Sequence, residues 1–413
     1  MTGILDTIVT ILLFIIVLGG LVLFHELGHF ITARLARIRV LEFGVGFPPR
    51  AKSLGSGGVS AADTAQYRRA REAALAAARE EEAAYEAVLE TPEDPPGTAY
   101  TLNWLPIGGF VKLEDENGGE SFDPRSFGRA RLATKLIILL AGVFMNLLLA
   151  LAIFTGIAWF ATPYIGLKFD SVEVGSPADQ AGLVGGDAIV SVNGQRYDFF
   201  SSYDDTSPID GLRSHAGETV VLGVRRADGT TEEVTATLRT KEELAAGKGA
   251  LGIKASPQGF EFVFLPEYTG RSLPEAIHIG WSETMRWFGL ILAGLGSLVG
   301  SIISNPTGQP PVSGPVGIAT SLGQTFRESG LVMTLYVAGI LSANLALVNI
   351  LPFPPLDGGR MLMLMLKAIP RYGKRISLRA EQLTYAVGFV ALFGFLIWIT
   401  VFDVARQIGG GTP

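Results

Sequence analysis

Residues 21–30 read LVLFHELGHF, and this stretch decides how the whole chain is to be read. Leu21 to Phe24 belong in an apolar helix; His25, Glu26 and His29 do not. On a helix, residues four apart share a face one turn apart, so His25 and His29 present two imidazoles side by side. That is the H-E-x-x-H arrangement, in which two histidines hold a tetrahedral zinc and the glutamate serves as general base. Ionisable groups inside an apolar span are costly, so three of them together point to chemistry rather than to packing.

Outward from this stretch, the chain reads as a membrane protein. Of its 413 residues 48% are hydrophobic and 17% charged, with a mean hydropathy of +0.36, outside the usual range of soluble domains. Four segments, near 4–34, 132–161, 331–352 and 383–404, are long enough to cross hydrocarbon about 30 Å thick. A fifth, RWFGLILAGLGSLVGSII at 286–303, is shorter and glycine-rich, and is expected to be an interfacial or re-entrant helix. The N-terminus lacks a basic leader and a small-residue cleavage site, which favours an uncleaved first span. The chain has no cysteine, which excludes disulfides, thiolate metal sites and cysteine catalysis. The net charge of −6 hides local asymmetry, but no basic surface rises above the flanks of membrane spans, so a nucleic-acid partner is not expected.

Basic residues set the expected topology. Arg34, Arg37 and Arg39 follow the first span, and Arg129, Arg131 and Lys135 precede the second. Arg360, Lys367, Arg371, Lys374, Arg375 and Arg379 lie between the third and fourth. The positive-inside rule puts all three clusters in the cytoplasm, which four spans with both termini outside satisfies. Residues 165–257 then lie outside. They read as short strands, with hairpin turns at Asn193-Gly194 and Asp228-Gly229 and a helix start at Ser176-Pro177. Residues 60–90, rich in Ala, Glu and Arg, are expected to form a solvated cytoplasmic helix ended by TPEDPPG, a charged spacer or else a partner-binding arm.

A site with two histidines needs a third ligand and an open fourth position. His215 and His278 both fall on the outer side. Asp357, in NLALVNILPFPPLDGGR just past Pro352, Pro354 and Pro355, is the one carboxylate at the end of the third span. The four-span topology brings it to the depth of His25 and His29. The alternative for Asp357 is a capping or turn residue ahead of Gly358-Gly359.

HELGH in the first span and NILPFPPLDGG in the third together resemble the site-2 protease family of intramembrane zinc metalloproteases, in its bacterial RseP-type form. GVGF (44–47), TLNWLPIGGFVKL (101–113) and SGPVGIA (313–319) are similar to further segments of that family, and SPADQAGLVGGDAIVSVNG is similar to part of a PDZ domain. The resemblance covers nearly the whole chain, with one PDZ-like repeat rather than a tandem pair, and with 55–97 as an insertion outside the pattern.

It implies a polytopic α-helical membrane protein of about four transmembrane helices. These are a first helix within 1–36, a cytoplasmic loop 37–131 with membrane-associated β-structure at 40–50 and 98–113, a second helix 132–161, and a PDZ-like domain 165–257. A segment 270–330 with SGPVGIA follows, then a third helix within 331–360 and a fourth at 383–404. It also implies hydrolysis of peptide bonds inside the membrane, with Zn2+ held by His25, His29 and Asp357, Glu26 as base, and Asn349 holding substrate. The implied substrates are single-span membrane proteins, such as anti-sigma factors or remnant signal peptides, and the implied location is the bacterial inner membrane, with the active site near the cytoplasmic face.

Physical reasoning adds that a substrate helix must unwind before attack, because its amides are locked in i to i−4 bonds. A strand edge at 101–113 could capture the unwound segment, with Gly44, Gly46, Gly108 and Gly109 permitting close approach or serving as ordinary loop glycines. Ile165-Gly166-Leu167 reads as a loop for a peptide C-terminus or as a plain strand entry. The competing functions are a non-enzymatic PDZ scaffold and an ion or metal carrier. An intact Glu26 argues against the first, and the lack of paired broken helices in matching halves against the second.

Overall fold

A computed structural model of the protein describes residues 2–79, 81–116, 121–201, 207–256, 259–305, 308, 310, 312–370 and 376–408. Arg371, Lys374 and Arg375 of the third basic cluster lie outside the described residues. The chain divides into two units, one formed by residues 1–151 and 284–413 and the other by 152–283.

The first unit is built on long apolar helices. Five helices are long and apolar enough to cross a membrane among the described residues: α1, α4, α8, α9 and α11. They span Thr2–Leu35, Leu132–Phe160, Leu273–Ser304, Pro315–Asn349 and Leu378–Ile408. The helix expected over 286–303 therefore begins at Leu273 and runs for 32 residues. The polar first turns, LPEAIHIGWSETMR, hid its true length from a reading based on apolar runs.

α9 is two helices joined at Gly330, whose φ of 74° breaks the helical backbone. It stops at Asn349, and LDGG opens a separate helix, α10 (Asp357–Ala368), instead of ending the third span. The N-terminus of α9 is capped from a distance. The buried Asp403 carboxylate of α11 accepts from the backbone N–H of Gly314 at 3.3 Å and of Gly317 at 2.8 Å. Those donors have no partner within their own helix, and the helix dipole favours the negative charge there. This accounts for the glycines of SGPVGIA, since a Cβ on Gly317 would lie 3.0 Å from the same carboxylate.

Between α1 and α4 lie two long strands, β1 (Val40–Ser56) and β2 (Ala99–Leu113). Each bends and serves twice. Residues 42–45 of β1 pair with 109–112 on one side and with 99–102 on the other, and 52–56 pair with 99–102 again. Gly46 and Gly108 sit at the bends with φ near +80°, a region open to glycine at little cost.

Residues 61–89 differ from expectation. They form a helical hairpin, α2 (Ala61–Ala77) and α3 (Glu82–Leu89), rather than one solvated helix. Tyr67 decides this: its ring is buried, lies 5.1 Å from that of Phe122, and its hydroxyl donates to Pro92 O at 3.2 Å.

The second unit holds a six-stranded sheet in the order β10-β3-β6-β5-β7-β8, with β4 and β9 paired separately. Its strands are β3 (162–168), β4 (171–172), β5 (188–192), β6 (195–198), β7 (219–225), β8 (231–237), β9 (253–254) and β10 (261–269), with short helices α5 (177–180), α6 (208–214) and α7 (241–245). The turn at Asn193-Gly194 has both φ positive, as a tight hairpin of this type requires. Ser176 caps α5 by accepting from Asp179 N, with Pro177 at its first position. Ile165–Leu167 lie within β3, paired with β10 on one side and with β5 and β6 on the other, so they form a strand and not a loop. β10 extends the sheet past residue 257, where the domain was expected to end.

Candidate metal centre

The site lies in the first unit, where α1, α4, α9 and α10 converge. α1 and α4 are antiparallel: His29 meets Ile138, Gly28 meets Ala141, and His25 meets Asn146. Ser342 of α9 donates to the Asn146 carbonyl at 2.8 Å. Seven residues on, at the end of α9, the Asn349 side chain lies 3.5 Å from His25 Nε2. The turn after α9 returns the chain so that α10 starts beside it. Gly358 and Gly359 make this turn feasible, because a Cβ on either would lie within 2.6 Å of the backbone of residues 350–354.

His25, His29 and Asp357 are the one group of three side chains suited to a metal among the described residues, with ligand atoms within 4.8 Å of one another. His25 Nε2 is 2.9 Å from Asp357 Oδ2 and 3.1 Å from His29 Nε2, and His29 Nε2 is 3.3 Å from Asp357 Oδ2. Ligands about 2.0–2.1 Å from a tetrahedral ion stand roughly 3.3–3.4 Å apart. The three atoms thus form one face of a zinc tetrahedron to within about half an ångström, and two imidazoles with a carboxylate are a set that suits zinc. Neither His215 nor His278 joins the group.

The outer nitrogens of both rings have partners. His29 Nδ1 lies 2.8 Å from Ile138 O, to which it donates. That places the proton on Nδ1 and leaves the Nε2 lone pair facing the other ligands. His25 Nδ1 lies 3.4 Å from Asn146 Nδ2, and the Oδ1 of the same amide is buried and without a hydrogen-bond partner. With that oxygen turned to the ring, Asn146 accepts from Nδ1–H and frees the Nε2 of His25 in the same way.

Glu26 lies half-buried between the histidines in sequence, and its Oε2 accepts from the backbone N–H of Val111 at 3.1 Å. Two residues on, Leu113 N–H points to Glu116 at 3.4 Å. Alternate donors along a strand point the same way, so the edge of β2 not paired with β1 is turned to these carboxylates. Glu116 in turn pairs with Arg360, one turn beyond Asp357.

The sequence-expected residues fall into two groups. His25, Glu26, His29, Asp357 and Asn349 converge. Gly44, Gly46, Gly108 and Gly109 serve the sheet and its packing on α1. A Cβ on Gly44 would lie 2.4 Å from the Phe110 ring, one on Gly46 2.5 Å from Leu105 O, one on Gly108 2.7 Å from Val22, and one on Gly109 2.7 Å from Gly44 O.

Two residues were missed. Asn146 is one. Gly142 is the other: a Cβ there would lie 2.5 Å from His29 Nε2 and 2.7 Å from His25 Nε2. In AGVFMNLLLA both look like ordinary features of an apolar helix, although an asparagine within such a run is itself a signal.

The sequence profile of Peptidase family M50 matches residues 13–60 and 88–395. The chain is 27% identical to the zinc metalloprotease RasP of Geobacillus kaustophilus, over 97% of this chain and 99% of that protein. It is 29% identical to a putative zinc metalloprotease of Clostridium perfringens, over 94% and 97%. It is 26% identical to a probable chloroplastic membrane metalloprotease of Arabidopsis thaliana, over 94% and 78%.

Proposed function

Because the chain belongs to Peptidase family M50 and is a zinc metalloprotease, we propose that it hydrolyses peptide bonds within the membrane-spanning segments of single-span proteins. The observation that carries the reading is the convergence of His25 and His29, on a helix apolar enough to cross a bilayer, with Asp357 at the start of α10. The three ligands would hold zinc, which supplies a Lewis acid for the scissile carbonyl and lowers the pKa of a water at the open fourth position.

The remaining work falls to the chain. Glu26 takes the proton from the attacking water and delivers it to the leaving amine. The Val111 N–H holds its carboxylate in place between turnovers. The Asn349 amide, beside His25, orients the scissile peptide. Since the outward edge of β2 runs past Glu26, a substrate segment unwound from its helix and added to that edge would arrive at the base. The edge can serve this way although the four glycines behind it are occupied by packing.

Four crossings remain the favoured topology. The contact of Arg327 with Thr10 at 3.1 Å, and those of Gly314 and Gly317 with Asp403, put residues 314–327 at the end of the first unit away from His25. The antiparallel α4 leaves the site towards that same end. The chain between α4 and residue 314 then makes no net crossing, and α8 need not span. With the basic clusters in the cytoplasm, Asp357 lies near the cytoplasmic face and residues 165–257, read as a PDZ-like domain, lie outside. There they would screen substrates, such as anti-sigma factors or remnant signal peptides, of a bacterial inner membrane.

The test is cleavage of a panel of single-span substrates by purified protein in detergent, wild type beside Glu26→Gln. Cleavage by the wild type alone, with zinc in both, supports the proposal. Cleavage undiminished by the substitution removes Glu26 as base. Retention of a bound peptide partner by both proteins, with no cleavage by either, would favour the scaffold reading.

A further inference from the structure

Arginines placed after the first helix have a use beyond topology. Arg34, Arg37, Arg39 and Arg125 line one cavity of about 420 Å³ in the first unit, at the end of α1. Its opposite wall comes from residues 58–63 and 96–98, the two feet of the α2–α3 hairpin, including Ser60 and Thr98. Most of that hairpin, residues 61–87, falls outside the match to the family profile.

The charges there are incompletely balanced. Arg39 pairs with Asp123 at 3.0 Å and Glu114 at 3.5 Å, and Arg125 pairs with Asp63 at 3.0 Å. The Arg125 Nε also lies 3.6 Å from Asp123, so both of these arginines already have carboxylate partners. Arg34 and Arg37 are exposed and have no carboxylate partner among the described residues. Arg34 has only the Thr98 hydroxyl at 3.4 Å and the face of Phe30. Two guanidiniums without a carboxylate partner, on a cavity lined by two further arginines, are a demand for an anion rich in acceptors.

We propose that this cavity binds a phosphate group, carried by a phospholipid headgroup or by a soluble phosphate compound. Guanidinium forks match phosphate oxygens in bidentate geometry, which a chloride ion cannot exploit. Arg34 stands in the last turn of the apolar α1, at the level where a membrane presents its headgroups. The volume admits a phosphate together with the small group that bears it. The hairpin closes the pocket as its second wall, which gives the inserted segment a task. The proposal does not depend on the peptidase reading.

The test uses full-length protein and the double variant R34Q/R37Q, with R37Q alone as a second. One arm measures thermal unfolding in detergent against inorganic phosphate, with chloride at equal ionic strength as control. The other counts lipids retained on native mass spectrometry after transfer from nanodiscs of phosphatidylglycerol or of phosphatidylcholine. Both substituted side chains are exposed, so unliganded melting and zinc content should match the wild type.

Each lost charge-assisted contact should weaken binding by about tenfold or more. Phosphate stabilisation, or preferential retention of phosphatidylglycerol, that is present in the wild type and lost in the double variant supports the site. The responding arm tells soluble phosphate from lipid. Equal behaviour of wild type and variants in both arms, or stabilisation reproduced by chloride, overturns it.

Discussion

Gly142→Ala adds a single methyl group to an apolar helix, and the account predicts that it abolishes the metal site while sparing the fold. The new Cβ would stand 2.5 Å from His29 Nε2 and 2.6 Å from His25 Cε1. An ordinary contact of this kind needs about 3.4 Å or more, so the rings must retreat by about 1 Å. Metal–ligand distances tolerate only about 0.2 Å. The rings cannot yield cheaply, because His29 is held by Ile138 O and His25 lies against Asn146.

Overpacking costs about 1–3 kcal/mol, whereas replacing Gly by Ala within a helix returns about 1 kcal/mol. Net destabilisation of the metal-free protein should therefore be at most about 2 kcal/mol. Zinc occupancy and cleavage should fall together by at least about a hundredfold, since displaced ligands lose more than the 10–100-fold typical of mutated outer partners. The assay is metal content by mass spectrometry, with reporter cleavage and thermal unfolding of the metal-free forms. A Gly142→Ala protein that keeps about one zinc per chain and wild-type cleavage would refute the geometry on which the site is built.

Further outcomes follow from individual contacts. Asn146→Leu removes the side-chain amide beside His25 Nδ1 and should weaken zinc binding by about 10–100-fold, measured by competition with a chelator. Removing zinc from the wild type should lower the melting temperature, because a ligand present at a thousand times its dissociation constant stabilises by about 4 kcal/mol. The same treatment should leave the metal-free Asp357→Asn protein unchanged. In the second unit, burial and then the Asp210 carboxylate push the Tyr197 phenol up. The neutral form is favoured on folding, so the contribution is fully present below the unfolded value of about 10 and is lost as pH rises through the raised folded value. Tyr197→Phe should flatten the alkaline loss of stability relative to wild type, read as the difference between melting curves at rising pH.

The core of the site was legible because its ligands are rare residue types at fixed spacing. Imidazoles and carboxylates within apolar helices have few other uses, and the loop chemistry of PFPPLDGG marks where the third span must end. Gly142 and Asn146 acquire meaning only from the crossing of α1 on α4, which local pattern does not encode. The break between α2 and α3 was invisible for a related reason. Ala and Arg at 78 and 79 favour continued helix, and the contacts that fold the chain back on α2, Tyr67 with Pro92 and Arg71 with Leu89 O, join residues distant in sequence. Turn residues fared better, since the Asn-Gly turn and the Ser-Pro cap are decided by their own backbones. The four glycines of the β-structure were open to two readings, room for a substrate or ordinary loop glycines. Side-chain and backbone contacts inside the fold occupy that room, a distinction that glycine itself does not reveal.

Zinc X-ray absorption on the purified wild-type protein, beside Asp357→Asn, tests the central claim most directly. The account predicts a coordination sphere of two imidazole nitrogens and carboxylate or water oxygens at about 2.0–2.1 Å, with no sulfur, and loss of bound zinc or of a carboxylate oxygen on substitution. A sphere holding three or four imidazoles, or one that Asp357→Asn leaves unaltered, would contradict it.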